Sequence, residues 1–272
     1  MDKPLVSVII PTFNSEGTIG KCLESIKNQT YKNVEIIVVD KNSNDKTVEI
    51  AKRYGVRVFV VDAKERSEQK NFGARKAKGK YILFVDSDME LTPKVVEECY
   101  VKINSKNVGG VIIPERSIGN SFWVKVRDFE RSFYNGTEIE SARFFKASLV
   151  KRVGGFDEDM VFFEESTLPQ KIERLGYNVK VRINSEILHY EENFSLFKWL
   201  KKKYYYGKTA FTYRKKYRKY ANKQTSLFYR FSIFLSNKKF YSKPMLALGV
   251  ICLKKLEFFS AGLGFLVSKV RK

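Results

Sequence analysis

The chain is 272 residues long, 43% hydrophobic and 14% aromatic, which excludes general disorder and is enough for one large domain or a domain with an appendage. Its net charge of +21 is uneven: residues 199–272 hold 19 Lys and Arg against one acid, Glu257, a net +18, whereas residues 1–198 carry only +3. Three scattered cysteines, Cys22, Cys99 and Cys252, lack Cys-x-x-Cys spacing, so a disulfide framework and a zinc site are excluded and reduced thiols in a cytosolic setting are expected.

Met1-Asp2-Lys3-Pro4 runs straight into an apolar strand pattern without a charged-then-apolar leader, and no secretion signal is expected. Leu5 to Pro11 reads as a short buried strand ended by proline, followed by the polar loop Thr12 to Gly17 and a helix over 18–29 with Ile19, Leu23 and Ile26 on one face. Val34 to Val39 is a second buried strand ending in Asp40. The loop 41–45 then leads into a helix over 46–54, with Asp45 a candidate cap. A third strand over 56–61 and a helix over 66–78 precede Tyr81 to Val85, an apolar run suited to a strand buried on both faces.

That strand stops at Asp86-Ser87-Asp88. In an extended segment the two carboxylates share one side, and like charges so close need a cation or donor hydrogens to neutralise them. Oxygen ligands of this kind suit Mg²⁺ or Mn²⁺, and strand ends are where open α/β sheets bind ligands. A solvated strand-end turn is the plainer reading of an isolated Asp-x-Asp.

Beyond Pro93 the spacing predicts a helix over 95–103, a strand over 108–114, an aromatic-rich amphipathic helix over 120–135 and a strand around Phe144-Phe145. Glu164-Glu165 opens a helix to about Leu175, which Gly176 stops, and short strands follow over 178–183 and 185–189. Strands alternating with helices at this spacing imply right-handed βαβ units in a doubly wound sheet.

Five stretches, in order, resemble glycosyltransferase family 2, the inverting nucleotide-sugar-dependent class on the GT-A fold: Val8 to Asn14 with Glu16; Ile36 to Asp40 with Asn42, Ser43 and Asp45; Lys70-Asn71-x-Gly73; Asp86-Ser87-Asp88; and Val153 to Asp157 followed by Glu164-Glu165. The resemblance covers residues 5 to about 190. It implies an α/β GT-A fold, a Rossmann-like, mostly parallel sheet flanked by helices. Residues 1–192 would form the transferase domain, with 1–92 the nucleotide-binding half and 93–192 the acceptor half. It implies a UDP- or GDP-sugar donor and a divalent cation, Mn²⁺ or Mg²⁺. Asp40 would accept the ring N–H of the base, and Pro11, Thr12 and Glu16 would line base and ribose, with Asn14, Asn42 and Ser87 in the same donor site. Lys70 and Asn71 would meet diphosphate or sugar hydroxyls. Asp86 would lie near ribose and metal and Asp88 would hold the metal. The family's base is the second residue of a Glu-Asp pair; here the pair reads Glu164-Glu165, so Glu165 is the expected base and Glu164 the fallback. The single histidine, His189, resembles a late His that reaches metal or diphosphate in some relatives, although a lone His on a strand is more often structural. Asp45 and Asn71 also fit simple helix caps. The Gln-x-x-Arg-Trp motif of processive synthases is absent, so transfer of single sugars is expected.

Residues 193–272 read as a basic, aromatic-rich amphipathic helical region. Two apolar segments, 245–253 and 258–267, are divided by Lys254-Lys255 and Glu257, and neither reaches the ~18 uninterrupted residues needed to span a bilayer. Aromatic rings with snorkelling Lys and Arg suit an anionic headgroup layer. The expectation is therefore a peripheral enzyme on the cytoplasmic face of a membrane with a lipid-linked acceptor. A soluble or protein acceptor with the tail packed as core or as a homodimer interface is the second reading. Binding of single-stranded nucleic acid is the third, which the apolar segments disfavour.

Overall fold

The computed structural model describes residues 3–191 and 194–270; Met1, Asp2 and the expected domain boundary at 192/193 lie outside them. The elements follow in the order β1 (Val6–Thr12), α1 (Ile19–Lys27), β2 (Val34–Asp40), α2 (Thr47–Arg53), β3 (Arg57–Val60), α3 (Arg66–Lys76), β4 (Tyr81–Phe84), β5 (Met89–Leu91), α4 (Val95–Ile103), β6 (Gly110–Ile112) and β7 (Glu115–Ile118). After them come α5 (Phe122–Arg131), β8 (Ala142–Lys146), α6 (Ala147–Arg152), a 3₁₀ turn (Glu164–Ser166), α7 (Thr167–Glu173), β9 (Val181–Arg182) and β10 (Ile187–Tyr190). The C-terminal helices are α8 (Leu196–Gly207), α9 (Ala210–Lys216), α10 (Arg218–Gln224), α11 (Leu227–Leu235), α12 (Lys238–Tyr241) and α13 (Pro244–Val270). Two units are distinguished by contact. One comprises the chain up to Glu115 with Ser141–Glu158 and Glu164–His189; the other comprises Arg116–Glu140, Asp159–Phe163 and the chain from Tyr190 on.

In the first unit, among the described residues, seven strands form a sheet in the order β3-β2-β1-β4-β8-β6-β9. It is parallel except for β8, which runs antiparallel to both β4 and β6. Alternate residues of a strand face opposite sides, so β1 feeds two cores. Val8 and Ile10 pack with Ile19, Leu23 and Ile26 of α1 and with Val96 and Cys99 of α4. Ile9 packs with Phe84, with Leu149 of α6 and with Leu168 and Ile172 of α7. Each such side chain contributes about 1.5–3 kcal/mol by burial, which is why β1, β2 and β4 read as mainly apolar stretches.

Two local expectations need correcting. Pro11 does not end β1; it pairs with Val39 and the strand continues to Thr12. Ile9 O accepts from Val85 N on the β4 side, and pairing with β4 stops at Ile9–Phe84. Pro11, two residues further, therefore turns its missing N–H to a side with no strand left to bond. Asp86-Ser87-Asp88 is not extended either. Met89 N donates to Asp86 O at 3.1 Å, closing a turn that feeds β5, and β5 pairs antiparallel with β10.

The second unit is helical. Val126 and Phe129 of α5 bury against Phe234, Phe240, Val250 and Leu253, while Tyr213, Tyr217 and Ala221 enclose Met160. Several rings expected at a membrane interface, Tyr213, Tyr217, Tyr220 and Phe234, are thus core residues. The two apolar segments of the tail are one continuous helix, α13. Lys254 and Glu257 do not interrupt it because they face inward: Lys254 Nζ meets Glu257 at 2.5 Å and Glu130 at 2.7 Å, and Trp199 Nε1 donates to Glu257 at 2.6 Å. Helices α8 and α13 touch backbone to backbone, since a Cβ on Gly207 would stand 2.0 Å from Ala261 O and one on Gly264 2.0 Å from Tyr204 O. Among the described residues no helix is long and apolar enough to cross a membrane.

Candidate active site

At the carboxyl ends of β1 and β2 two loops are laced together. Asp40, fully buried, accepts from Thr12 Oγ1 (2.7 Å), Ser43 N (2.8 Å) and Ser43 Oγ (2.6 Å). An ionised carboxylate offers about four acceptor positions, so three are filled from within the protein. Asn14 and Asn42 both adopt left-handed backbone, which asparagine tolerates. Asn14 N donates to Ser43 Oγ and Asn14 Oδ1 accepts from Asn44 N. Glu16 Oε2 accepts from Lys46 N, while Glu16 N donates back to Asp45, whose other oxygen takes Thr47 N. Asp45 is thus both a cap for the start of α2 and a latch between loops. Ser87 Oγ donates to Ser15 Oγ at 2.9 Å and ties the 86–88 turn to the same rim.

Below the rim lies a cluster of charges. Helix α3 carries Arg66 and Lys70 one turn apart, a spacing that puts both on one face. Lys70 is 2% exposed, and its Nζ reaches Glu164 Oε1 at 3.1 Å and Asp86 Oδ1 at 3.6 Å. Arg66 stands 3.9 Å from Asp86 and 3.6 Å from Glu164, and Arg143 on β8 stands 3.5 Å from Asp86 while bonding Glu115 at 2.6 Å. Burial alone would raise the Asp86 carboxyl, but Lys70, Arg143 and Arg66 outweigh it and hold the group well below the usual carboxylate range. Asp86 Oδ1 has no hydrogen bond among the described residues, so it keeps acceptor capacity.

The neighbouring acids split. Glu164, buried, is driven down by Lys70 and Arg66 against the opposing effect of burial. Glu165, half-buried, is pushed up to about 8, first by burial and then by the charge of Glu164. Oε2 of Glu164 lacks a donor among the described residues, and the two side chains are within hydrogen-bonding reach. A proton on Glu165 therefore completes Glu164. Two adjacent carboxyls with opposite protonation tendencies are the arrangement that assigns one to an ionic anchor and the other to proton transfer.

Asn71, next to Lys70, faces away from open space. Its Nδ2 donates to Phe156 O and Glu158 Oε1, each at 2.9 Å, and its Oδ1 accepts from Phe156 N at 2.8 Å. Both amide hydrogens are spent on the loop that precedes the acids. Gly155, at φ +71°, lies so close that a Cβ would come within 2.2 Å of Asn71 Oδ1.

Asp88 is apart from this cluster. Its side chain is 48% exposed and its Oδ2 meets His189 Nε2 at 2.9 Å. Burial works to raise the carboxyl, and the hydrogen bond and charge of His189 lower it further than that. The pairing arises because β10, carrying His189, lies antiparallel to β5 with His189 opposite Met89. Among the described residues no group of three or more His, Cys, Asp or Glu forms a metal cage. One carboxylate and one imidazole nevertheless fit a hard or borderline divalent cation that takes its other ligands from diphosphate and water. Asp86, ringed by cations, is a poorer partner for a metal than Asp88.

Sequence reasoning missed Arg66, Arg143 and Glu158. The four-residue spacing to Lys70 carried a signal for Arg66. Arg143 joins the site only because β8 pairs against β4 (Leu83 opposite Phe144), and no local pattern shows that.

Residues 7–156 match the family model of glycosyl transferase family 2. The chain is 31% identical over 203 residues to glycosyltransferase GlyA of Streptococcus pneumoniae serotype 4, an alignment covering 68% of this chain and 29% of GlyA. It thus spans under a third of that relative's length. Among solved structures it is similar to the mannosyltransferase PcManGT of Pyrobaculum calidifontis in complex with GDP-Man and Mn²⁺ (TM-score 0.63, 20% identity, 99% of this chain and 76% of that one). It is also similar to S. aureus TarS 1-349 in complex with UDP-GlcNAc (TM-score 0.57, 15% identity, 98% and 92%). At these identities the structural likeness establishes the fold, GT-A.

Proposed function

The chain belongs to glycosyl transferase family 2, and on that premise we propose that it transfers a single sugar from a UDP- or GDP-sugar to a lipid-linked acceptor, with inversion and with a divalent cation. The observation that carries this reading is the contrast within Glu164-Glu165: an anchor held by Lys70 at 3.1 Å and Arg66 at 3.6 Å, and beside it a half-buried carboxyl that burial and the charge of Glu164 push up to about 8. Glu165 acts as general base and Glu164 as its electrostatic partner.

In the proposed reaction the ionised Glu165 accepts the proton of the acceptor hydroxyl as that oxygen bonds to the anomeric carbon. The bond from this carbon to the diphosphate oxygen breaks on the opposite face, and its electron pair leaves with the nucleoside diphosphate. Arg66, 42% exposed, is the cation of the cluster with most access to that diphosphate. Lys70 and Arg143 fix Asp86, which would lie near the ribose. Thr12, Asn14, Glu16, Asp40 and Asn42 shape the nucleoside site through the laced loops, with Pro11 and Ser87 at its edge. Asn71 is a positioning residue for the loop leading to the acids. Asp88 and His189 would hold the cation, Mn²⁺ or Mg²⁺, which when bound offsets the charge developing on the leaving diphosphate. PcManGT is described with GDP-Man and Mn²⁺, and TarS with UDP-GlcNAc, so both nucleotides belong in the donor panel.

A lipid-linked acceptor and a peripheral position at a cytoplasmic leaflet are supported by the acid-poor segment 199–272 and, among the described residues, by free thiols at Cys22, Cys99 and Cys252. Nucleic-acid binding is disfavoured because rings such as Tyr213 and Phe234, which would stack on bases, are buried. The test is nucleoside diphosphate release from UDP-, GDP- and dTDP-sugars with Mn²⁺ or Mg²⁺, with and without membrane lipid extract, beside Asp88→Asn. Release from one donor, stimulated by extract and lost in the variant, is expected, with the product's anomeric configuration opposite to the donor's. Absence of metal-dependent donor binding would reject the reading.

A further inference from the structure

Helix α13 is apolar on its outward face as well as on the face that packs into the core. Lys254 and Glu257 are buried, while Met245, Leu248, Leu256, Phe259, Leu263 and Leu266 are exposed, Met245 and Phe259 by 69% and 67%. At 100° per residue these six fall within an arc of about 80°, and they extend for about 32 Å along the helix. Cys252, exposed, lies in the same arc. Next to it α8 turns outward Phe197 and Tyr205 among Lys198, Lys201, Lys202 and Lys208, all exposed. A continuous apolar stripe of this length on a surface marks a partner.

Charge decides which partner. The single acid of residues 199–272, Glu257, is buried, so this segment turns no carboxylate side chain to solvent. A second copy would bring two acid-free basic surfaces together, and the seam positions of a heptad read from Met245 would include Lys255 and Gly262, which pack poorly as knobs. An anionic phospholipid surface instead matches both features: acyl chains cover the stripe and headgroup phosphates meet the lysines.

We propose that the outward face of α13, flanked by the lysines of α8, is a docking surface that lies in the plane of an anionic phospholipid leaflet with Leu248, Phe259 and Leu266 below the headgroups. This docking surface deepens the reading of a peripheral membrane position proposed above, and its test does not depend on activity. Full-length protein is floated with phosphatidylcholine vesicles and with vesicles containing phosphatidylglycerol, beside Leu248→Gln/Phe259→Gln and Lys201→Gln/Lys202→Gln. The protein floats with the anionic vesicles, the apolar double variant loses about tenfold in partitioning with an unchanged thermal midpoint, and the lysine variant loses binding mainly at low salt. A bimane label on Cys252 blue-shifts on binding. Flotation unchanged by Leu248→Gln/Phe259→Gln overturns the proposal. So does a vesicle-free dimer, by light scattering or a Cys252–Cys252 cross-link, that the same substitutions abolish, because a second copy then covers the stripe.

Discussion

Replacing Glu165 by Gln keeps the size of the side chain and removes its ability to take a proton. A positioned general base contributes on the order of 10²–10⁴ in rate, so kcat should fall by that factor while donor binding persists. The pH profile tests the same assignment without a mutation. With its carboxyl pushed up to about 8, Glu165 is ionised in about a tenth of molecules at pH 7 and about nine tenths at pH 9. kcat/KM should therefore climb about tenfold over that interval. Glu164→Gln removes the charge that helps hold this proton, so the acid limb of the profile should move to lower pH. The assay is nucleoside diphosphate release at constant ionic strength across pH 6–9 for wild type and both variants. A flat wild-type profile, or a Glu164→Gln profile superimposable on it, would refute the reasoning, as would near-normal turnover by Glu165→Gln.

Stability should respond to the same groups. The folded pKa of Glu165 lies above the ordinary 4.5, so the neutral form's contribution is complete below that value and is lost as pH rises through about 8. Thermal midpoints should decline from pH 6 to 9, and Glu165→Gln should flatten the decline. Lys70→Met leaves buried Glu164 with only the longer Arg66 contact, and Asp86 with Arg143 and Arg66, and should cost about 3 kcal/mol at pH 7, the low end for breaking a buried pair; urea unfolding should show a smaller penalty at pH 5, where Glu164 can protonate. Gly155→Ala, which drives a methyl into Asn71 and strains a left-handed residue, should cost about 1–3 kcal/mol in the same assay. Asp88→Asn, at an exposed side chain, should abolish metal-stimulated release with a thermal midpoint within about 1 °C of wild type.

What the sequence revealed follows the range over which each interaction acts. The βαβ alternation was legible because β1, β2 and β4 are largely buried and mainly apolar, and three of the five motif stretches run from those strands into the loops they end in, while Lys70-Asn71 lies on α3. Glu165 and Asp88 became candidates through the resemblance of the motifs that carry them. The cation ring around Asp86 could not, because Arg143 arrives on an antiparallel strand inserted between β4 and β6. Asn71 looked like a donor for ligand because a polar residue beside Lys70 shares its motif; its actual partner, the backbone of Phe156, is 85 residues away. In the tail, composition alone counted Lys254 and Glu257 as interruptions. Only their pairing with Glu130 and Trp199 makes them compatible with one uninterrupted helix.

Lys70 and Asn71 are consecutive on α3, yet one neutralises two acids and the other grips the loop before Glu164. Successive residues of a helix differ by about 100° in direction. An insertion or deletion of one residue between 66 and 70 would therefore turn both side chains by about 100° and release both grips together. This stretch should tolerate changes of identity far better than changes of length. A scan of single-codon insertions across 60–76, scored for soluble yield, should show a sharp intolerant window starting at Arg66, while the loop 61–65 before it accepts the same insertions.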